Sequence, residues 1–571
     1  MSIKKASWGV LASAIACATL STTSTARALP SNNELKIGIT QEFENFNPLI
    51  QSMSATVYMS NLSIRQFVIL SPDAKWVTQL AKSIPSLENG GAKIVTENGQ
   101  KNLVATWEII PNAKWGDGKD MTCEDLQFSW QLGLNQNISI STRDGYENIK
   151  KIAWENSNPK KCVVTYNKIK WSFYQEMPYL MPKHIEEAVF KKYGNKSQGY
   201  DQNSEYNKNP TNPGLYNGPY VVSELKLGSH VTFTANKYFY GKQPSIKKVI
   251  FKLIPNTGTL EANLRSGTID MVSPIGFEFD QALAFEKRIK ADNLPYNMNF
   301  KPGVTYEHID LNLSVPVLQD LKVRQALVYA INREEITKAL FEGKQRAAVH
   351  NIAPMDPWFT DDPKKITIYK YSKRDANRLL DDAGWKTGAD GYRYKDGKKL
   401  SLQFMTTSGQ KTRETVQTLL QSQWKSVGVE VIIKNEPARV FFGETTRKRK
   451  FEGMALFAWT SAPEQSPRSN LHSSQIPTEK NSWSGQNQPG WSNKKVDEAL
   501  DKLDLEFNSA KRKELAAQIL KEYTAEVPVI PLYYRSEISV TPKNMQGYRL
   551  SGHLYHDSNE IEAWNLGSTV K

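Results

Sequence analysis

The sequence predicts an α/β protein built on mixed sheets. Three observations carry that expectation. Short runs of alternating apolar and polar residues interleave with longer stretches of helical spacing; no segment recurs at a fixed period; and 571 residues suffice for several domains or a few large ones. With 39% hydrophobic, 23% charged and 10% aromatic residues, the chain is not a collagen, a coiled coil, a disulfide-dense mini-protein or a disordered tail. A net charge of +14 over this length is a mild excess that favours solubility and does not suggest a nucleic-acid groove. The 14 Trp and 24 Tyr suit walls that grip something polar on one side and apolar on the other.

Taken in order, the first 28 residues read as an export signal. Lys4 and Lys5 precede an apolar run from Ala6 to Leu20, and Ala26-Arg27-Ala28 supplies a small-x-small cleavage site after Ala28. A lipoprotein reading through Cys17 is weaker, because Ala14 stands where such a signal prefers Leu. Leu35 to Ile39 alternates and reads as a strand, as does Lys101 to Ile110, with Leu103, Ala105, Trp107 and Ile109 on one side. Asp120 to Gly133 reads as a helix capped by Thr122, with Asp125 at its third position. Residues 194–219 lack periodicity and read as a long loop. Strand patterns resume at Tyr220-Val221-Val222, His230 to Ala235 and Lys248 to Leu253. Helical spacing marks Asp320 to Ala339, Ser372 to Ala383 before Gly384, and Thr412 to Ser426 before Gly428. A strand follows at Val429 to Ile433, then helices at Asn493 to Leu505 and Lys511 to Thr524.

Catalytic signatures are missing: there is no GxSxG, Walker A, GxGxxG or HExxH. His553 and His556 beside Asp557 have metal-ligand spacing but sit in an ordinary aromatic tail, and the run Arg447-Lys448-Arg449-Lys450 reads as a solvated face. Cys123 and Cys162 either pair in an oxidising compartment or remain two buried thiols. The most unusual stretch is Thr460 to Gly490, with seven Ser and four Pro and no readable element, punctuated by Trp459, Trp483 and Trp491. A polar loop of this length rich in tryptophan is expected to be functional. Glu464 and Arg468 offer charges there, and His472, Ser473, Gln486 and Asn487 offer hydrogen bonds.

Several segments, in this order, resemble the large extracytoplasmic solute-binding proteins of ABC importers, the family that includes oligopeptide-, dipeptide- and nickel-binding members. They are Ala113-Lys114-Trp115-Gly116-Asp117-Gly118-Lys119 with Phe128-Ser129-Trp130, Gly218-Pro219-Tyr220 with Asn236 to Lys242, and Leu264 to Asp270. Val323-Arg324-Gln325-Ala326-Leu327 with Ala330 to Ile336, Ala383-Gly384-Trp385 and Val427 to Val431 follow. The resemblance implies a two-lobed, hinged (Venus flytrap) fold. Residues 29–60, 212–295 and 533–571 would form lobe one, 61–211 an inserted subdomain, and 296–532 lobe two. It implies an exported, monomeric receptor, with no cofactor and no nucleic-acid partner, that closes on a peptide-like solute and delivers it to a membrane permease. The ligand's backbone would pair with Gln51, Ser52, Met53 and Ser54 on one lobe and with Trp459, Thr460 and Ser461 on the other. Peptide binders of this family usually carry an Asp three residues after that Trp to hold the ligand's α-ammonium. This chain has Ala462 there, so either Glu464 takes the charge or the ligand has no free N-terminus. An oligosaccharide, opine-like compound or metal chelate is the alternative cargo, and a secreted hydrolase the remote one.

Overall fold

The computed structural model describes residues 29–51, 53–97, 99–140, 143–481, 483, 485–553 and 556–567, so the expected signal segment and Cys17 lie outside it. Its centre is an eleven-stranded mixed sheet. In chain order the strands are β1 (Glu34–Ile39), β2 (Tyr220–Lys226), β3 (His230–Ala235), β4 (Lys248–Leu253), β5 (Met271–Val272), β6 (Tyr296–Leu311), β7 (Arg346–Ala347), β8 (Ser401–Met405), β9 (Glu430–Ile433), β10 (Gly453–Thr460) and β11 (Val529–Pro542). Their spatial order is β9-β8-β10-β6-β11-β5-β1-β4-β3-β2, with β7 added to β11.

The sheet is two sheets sharing two strands. β6 and β11 are long enough, at 16 and 14 residues, to belong to both lobes. Residues 296–302 of β6 pair with 536–542 of β11, and β11 meets β5 of lobe one through Val540 and Val272. Residues 306–310 pair with 529–534, while β6 from Thr305 to Leu311 lies against β10 of lobe two. Between Pro302 and Tyr306 the register slips. Proline cannot donate to the ladder, and the amide of Val304 turns aside to Gly552 O at 3.0 Å. A ladder interrupted between two well-paired halves is where the lobes can swivel at least cost.

Each lobe has its own apolar core: Leu35, Ile37, Phe233 and Phe251 in the first, Leu327, Leu420, Trp424 and Ile530 in the second. The inserted subdomain carries a four-stranded antiparallel sheet in which Leu103, Ala105 and Trp107 are fully buried, as their alternation predicts, and Ile109, just past the strand's end, is buried too. Its helix Cys123–Leu134 starts in a capping box: Thr122 accepts from Glu124 N at 3.3 Å, and Asp125 accepts from Thr122 N at 2.9 Å. A disulfide joins Cys123 on this helix to Cys162 on strand Lys161–Tyr166. Helix Lys373–Asp382 ends before Gly384, whose φ of +86° is the left-handed conformation glycine adopts without strain.

Two expectations change. The helix read over 320–339 is two, Leu321–Tyr329 and Arg333–Phe341, because Asn332 accepts from Glu335 N and caps a new start. The long loop at 194–219 contains short helices, Gly199–Asn203, Glu205–Lys208 and Pro213–Leu215. Arg324, from the Val-Arg-Gln-Ala-Leu segment, clips helix Leu321–Tyr329 to its surroundings by donating to the carbonyls of Leu318, Gln319 and Glu526 at 2.9 Å each.

Candidate functional site

A cavity of about 250 Å³ opens beside the crossover, on the lobe-two side. Alternation along β6 sends Tyr306, His308 and Asp310 to it and Glu307 to the opposite face. Trp459 and Thr460, at the end of β10, and Ser461 form a second wall; Asn351, Ile352 and Asp356 form a third; Ala462, Gln465, Ser466, Asn470 and Gln486 come from the serine-rich loop. Tyr306 stacks on His308 with ring centres 4.7 Å apart and planes 9° from parallel, and Phe457 meets His308 edge-on at 4.5 Å. The Tyr306 and Tyr523 hydroxyls lie 2.9 Å apart.

Beyond the two tyrosines, the titratable groups that line the cavity are His308, Asp310 and Asp356; no lysine or arginine is among them. Asp310 is 2% exposed and His308 fully buried; Asp310 Oδ1 lies 3.4 Å from His308 Nε2. Burial drives the Asp310 carboxyl upward, against the pull of His308. Asp356 accepts from the amides of Trp358 at 2.8 Å and Glu464 at 3.0 Å, yet burial still raises it to about 7.

The residues expected at the site divide into two sets. Trp459, Thr460, Ser461 and Gln486 meet at the cavity. The others are held elsewhere. Glu464, with φ at +58°, turns its carboxylate to Arg512 at 3.5 Å. Arg468 is taken by Asp501 at 2.6 Å and Asp504 at 3.3 Å. His472 Nδ1 accepts from Ser474 N at 3.0 Å. Asn487, fully buried, donates to Trp491 O at 2.8 Å and accepts from Trp491 N at 3.1 Å, which closes the loop on itself. Trp483 donates its amide to Thr478 O at 2.8 Å and is not among the cavity residues. On lobe one, Gln51 donates its amide to Asn47 O at 3.0 Å. Met53 donates to Glu44 at 3.0 Å, and Ser54 begins helix Ser54–Ser60, so this stretch leads into a helix instead of forming a strand. Ser52 lies outside the described residues. His553 donates from Nε2 to Ser71 O at 2.8 Å, and among the described residues no cluster of three metal-ligating side chains occurs. Sequence reasoning missed His308, Asp310, Asn351 and Asp356; the alternation Tyr306, His308, Asp310 against Ile309 and Leu311 is the signal that marks a polar strand face.

The inserted subdomain reaches across to lobe two near this site. Trp171, 4% exposed, stacks under the Arg512 guanidinium at 3.9 Å and meets Trp358 edge-on at 6.1 Å. The same Arg512 holds Glu464, so the loop that walls the cavity and the contact that ties the subdomain to lobe two share one side chain. On the opposite face of β6, Glu307 is fully buried at a second cavity of about 300 Å³ between the lobes. Arg413 grips it with two bonds of 3.2 Å, and Arg535 with a further short one.

Two lobes joined by a pair of continuous strands, with a polar cavity beside the crossover, define a two-lobed solute-binding protein. Residues 75–482 match the model of the bacterial extracellular solute-binding proteins, family 5 (middle region), and the chain belongs to that family. The oligopeptide-binding protein AppA of Bacillus subtilis (strain 168) is 25% identical over 541 residues, covering 93% of this chain and 91% of that one. Among solved structures, the oligopeptide-binding protein of Thermus thermophilus complexed with a pentapeptide is 26% identical, with a TM-score of 0.66 over 94% of this chain and 96% of that one. NikZ of Campylobacter jejuni, in complex with Ni(L-His), is also 26% identical, with a TM-score of 0.68 over 94% and 100% of the two chains. No helix among the described residues is long and apolar enough to cross a membrane.

Proposed function

We propose that this chain is the exported receptor of an ABC importer. It captures a peptide-like solute between its lobes and passes it, chemically unchanged, to a membrane permease. Cleavage after Ala28 releases it to the periplasm, where it acts as a monomer without a cofactor. Lobe one takes residues 29–60, 212–295 and 533–571 around the insert 61–211, and lobe two takes 296–532, with residues 296–302 of β6 pairing on the lobe-one side of the crossover. The observation that carries the reading is the cavity at Trp459, Thr460 and Ser461 beside the slipped register of β6 and β11, because a solute seated there lies next to the hinge. A ligand that touches both lobes favours the closed form by its differential affinity, and closure is the signal a permease can read. Backbone pairing along an extended ligand tolerates varied side chains, which suits a receptor for many peptides.

The test is to purify the mature chain gently, denature it and identify the released small molecules by mass spectrometry. Peptides are expected. Release of sugars or metal chelates alone would reject the peptide part and leave the receptor reading standing.

A further inference from the structure

The cavity beside Trp459 is more polar inside than backbone pairing requires. Four of its side-chain atoms are buried without a hydrogen-bond partner in the protein, Asp310 Oδ2, Asn351 Oδ1, Ser466 Oγ and Asn470 Nδ2, while His308 Nε2 faces Asp310 Oδ1 at 3.4 Å. Buried polar groups are nearly always satisfied, and leaving one unpaired has an appreciable cost in stability. Four around one cavity therefore mark a surface shaped for a polar group that arrives from outside.

The donor and acceptor inventory says which group. Asp310 and Asn351 present acceptor oxygens, Ser466 can present either, Asn470 Nδ2 presents a donor, and His308 lies at ion-pair distance from the Asp310 carboxylate. Asp356 also lines the cavity, but its two oxygens are taken by the amides of Trp358 and Glu464, and neither Lys nor Arg lines the cavity. A volume of about 250 Å³ is several times the roughly 30 Å³ of one water, so a side-chain-sized group fits. Glu464, two residues after Ala462 in the sequence, is committed to Arg512. We propose that Asp310, flanked by Asn351 and Ser466, forms a cation-accepting subsite for a protonated amine or guanidinium of the cargo. The cation is either an α-ammonium or a basic side chain. This rests on the peptide reading and assigns it a substrate class, peptides carrying such a group where the carboxylate expected at position 462 is missing.

Isothermal titration calorimetry on the full mature chain separates the sources. The probes are the tripeptides Lys-Ala-Ala, Ala-Lys-Ala and Ala-Ala-Lys, their norleucine counterparts, their N-acetylated forms, and cadaverine. A charge-assisted hydrogen bond at a buried carboxylate predicts that losing the recognised cation weakens wild-type binding by about tenfold or more. An N-acetylation penalty assigns the α-ammonium, and a norleucine penalty the side chain. In Asp310→Asn the same penalty should fall to about threefold or less. If that variant does not fold, Asn351→Lys, which brings a fixed cation into the cavity, should erase the penalty instead. Peptides that bind wild type with neither penalty overturn the subsite while the peptide reading survives, as does a penalty undiminished in the folded variants. Cadaverine binding that Asp310→Asn abolishes, with no peptide bound, upholds the subsite and refutes the peptide reading. Binding of neither overturns both.

Discussion

Glu307→Gln tests the electrostatics of the crossover directly. The carboxylate is fully buried between two guanidiniums, Arg413 with a side chain 12% exposed and Arg535 with one 45% exposed. Glutamine keeps the shape and one acceptor but removes the charge, leaving two cations face to face. Removing one partner of a buried ion pair typically costs about 3–5 kcal/mol. Arg535 is half solvated and recovers hydration, so the lower end, about 3 kcal/mol, applies. For a lobe of this size that corresponds to a fall in melting temperature of about 6–12 °C. The sign with pH follows from the direction of the shift. Burial alone would raise the Glu307 carboxyl, but Arg535 and Arg413 outweigh it and hold it below its ordinary 4.5. Its contribution is therefore present above pH 4.5 and fades as pH falls through the lowered value. Urea unfolding followed by circular dichroism at pH 7 and at pH 3 should show the full deficit at the first and a smaller one at the second. A deficit under about 0.5 kcal/mol at pH 7 would refute the claim that the guanidiniums depend on this carboxylate.

Three further outcomes follow from other contacts. Reducing Cys123–Cys162, which spans a sequence separation of 39 residues, should lower stability of the inserted subdomain by about 4 kcal/mol on the loop-entropy relation; an unchanged urea midpoint under reductant would contradict it. Trp171→Ala removes the cation–π and edge contacts that join the subdomain to lobe two, a loss of about 2 kcal/mol of closure, or roughly thirtyfold in the closed-to-open ratio. Small-angle scattering should then report a larger radius of gyration, and an unchanged profile would speak against that contact as a clasp. Burial raises Glu537 to about 8 and Asp557 to about 7, so the folded state binds protons that the unfolded chain has released, and stability should decline as pH rises from about 5 to 8. Glu537→Gln should flatten that decline, which denaturant midpoints across the range would read.

The backbone elements were legible because their causes are local. Thr122 and Asp125 sit three apart and cap their own helix; Gly384 supplies the positive φ that ends another; Leu103, Ala105, Trp107 and Ile109 alternate because a strand's side chains do. The break at Asn332 was missed because apolar spacing continues across it, and only the side-chain cap reveals the second start. The resemblance orders Trp459 to Ser461 along the chain, and in the structure they line the cavity.

What the amino-acid order determined by itself was the alternation of strands and helices, the family resemblance and the absence of a carboxylate at Ala462. What only the tertiary structure decided was the use of each charge. Arg468 finds Asp501 and Asp504, Glu464 finds Arg512, and Glu307 finds Arg413 and Arg535, all from positions far off in sequence. Periodicity reports which face a residue occupies; it carries no record of which distant group that face will meet. An ionic partner is chosen by folded geometry and by the cost of burying a charge alone, so Asp310, left with an unpartnered oxygen at the cavity wall, becomes visible only once every other carboxylate around it has been accounted for.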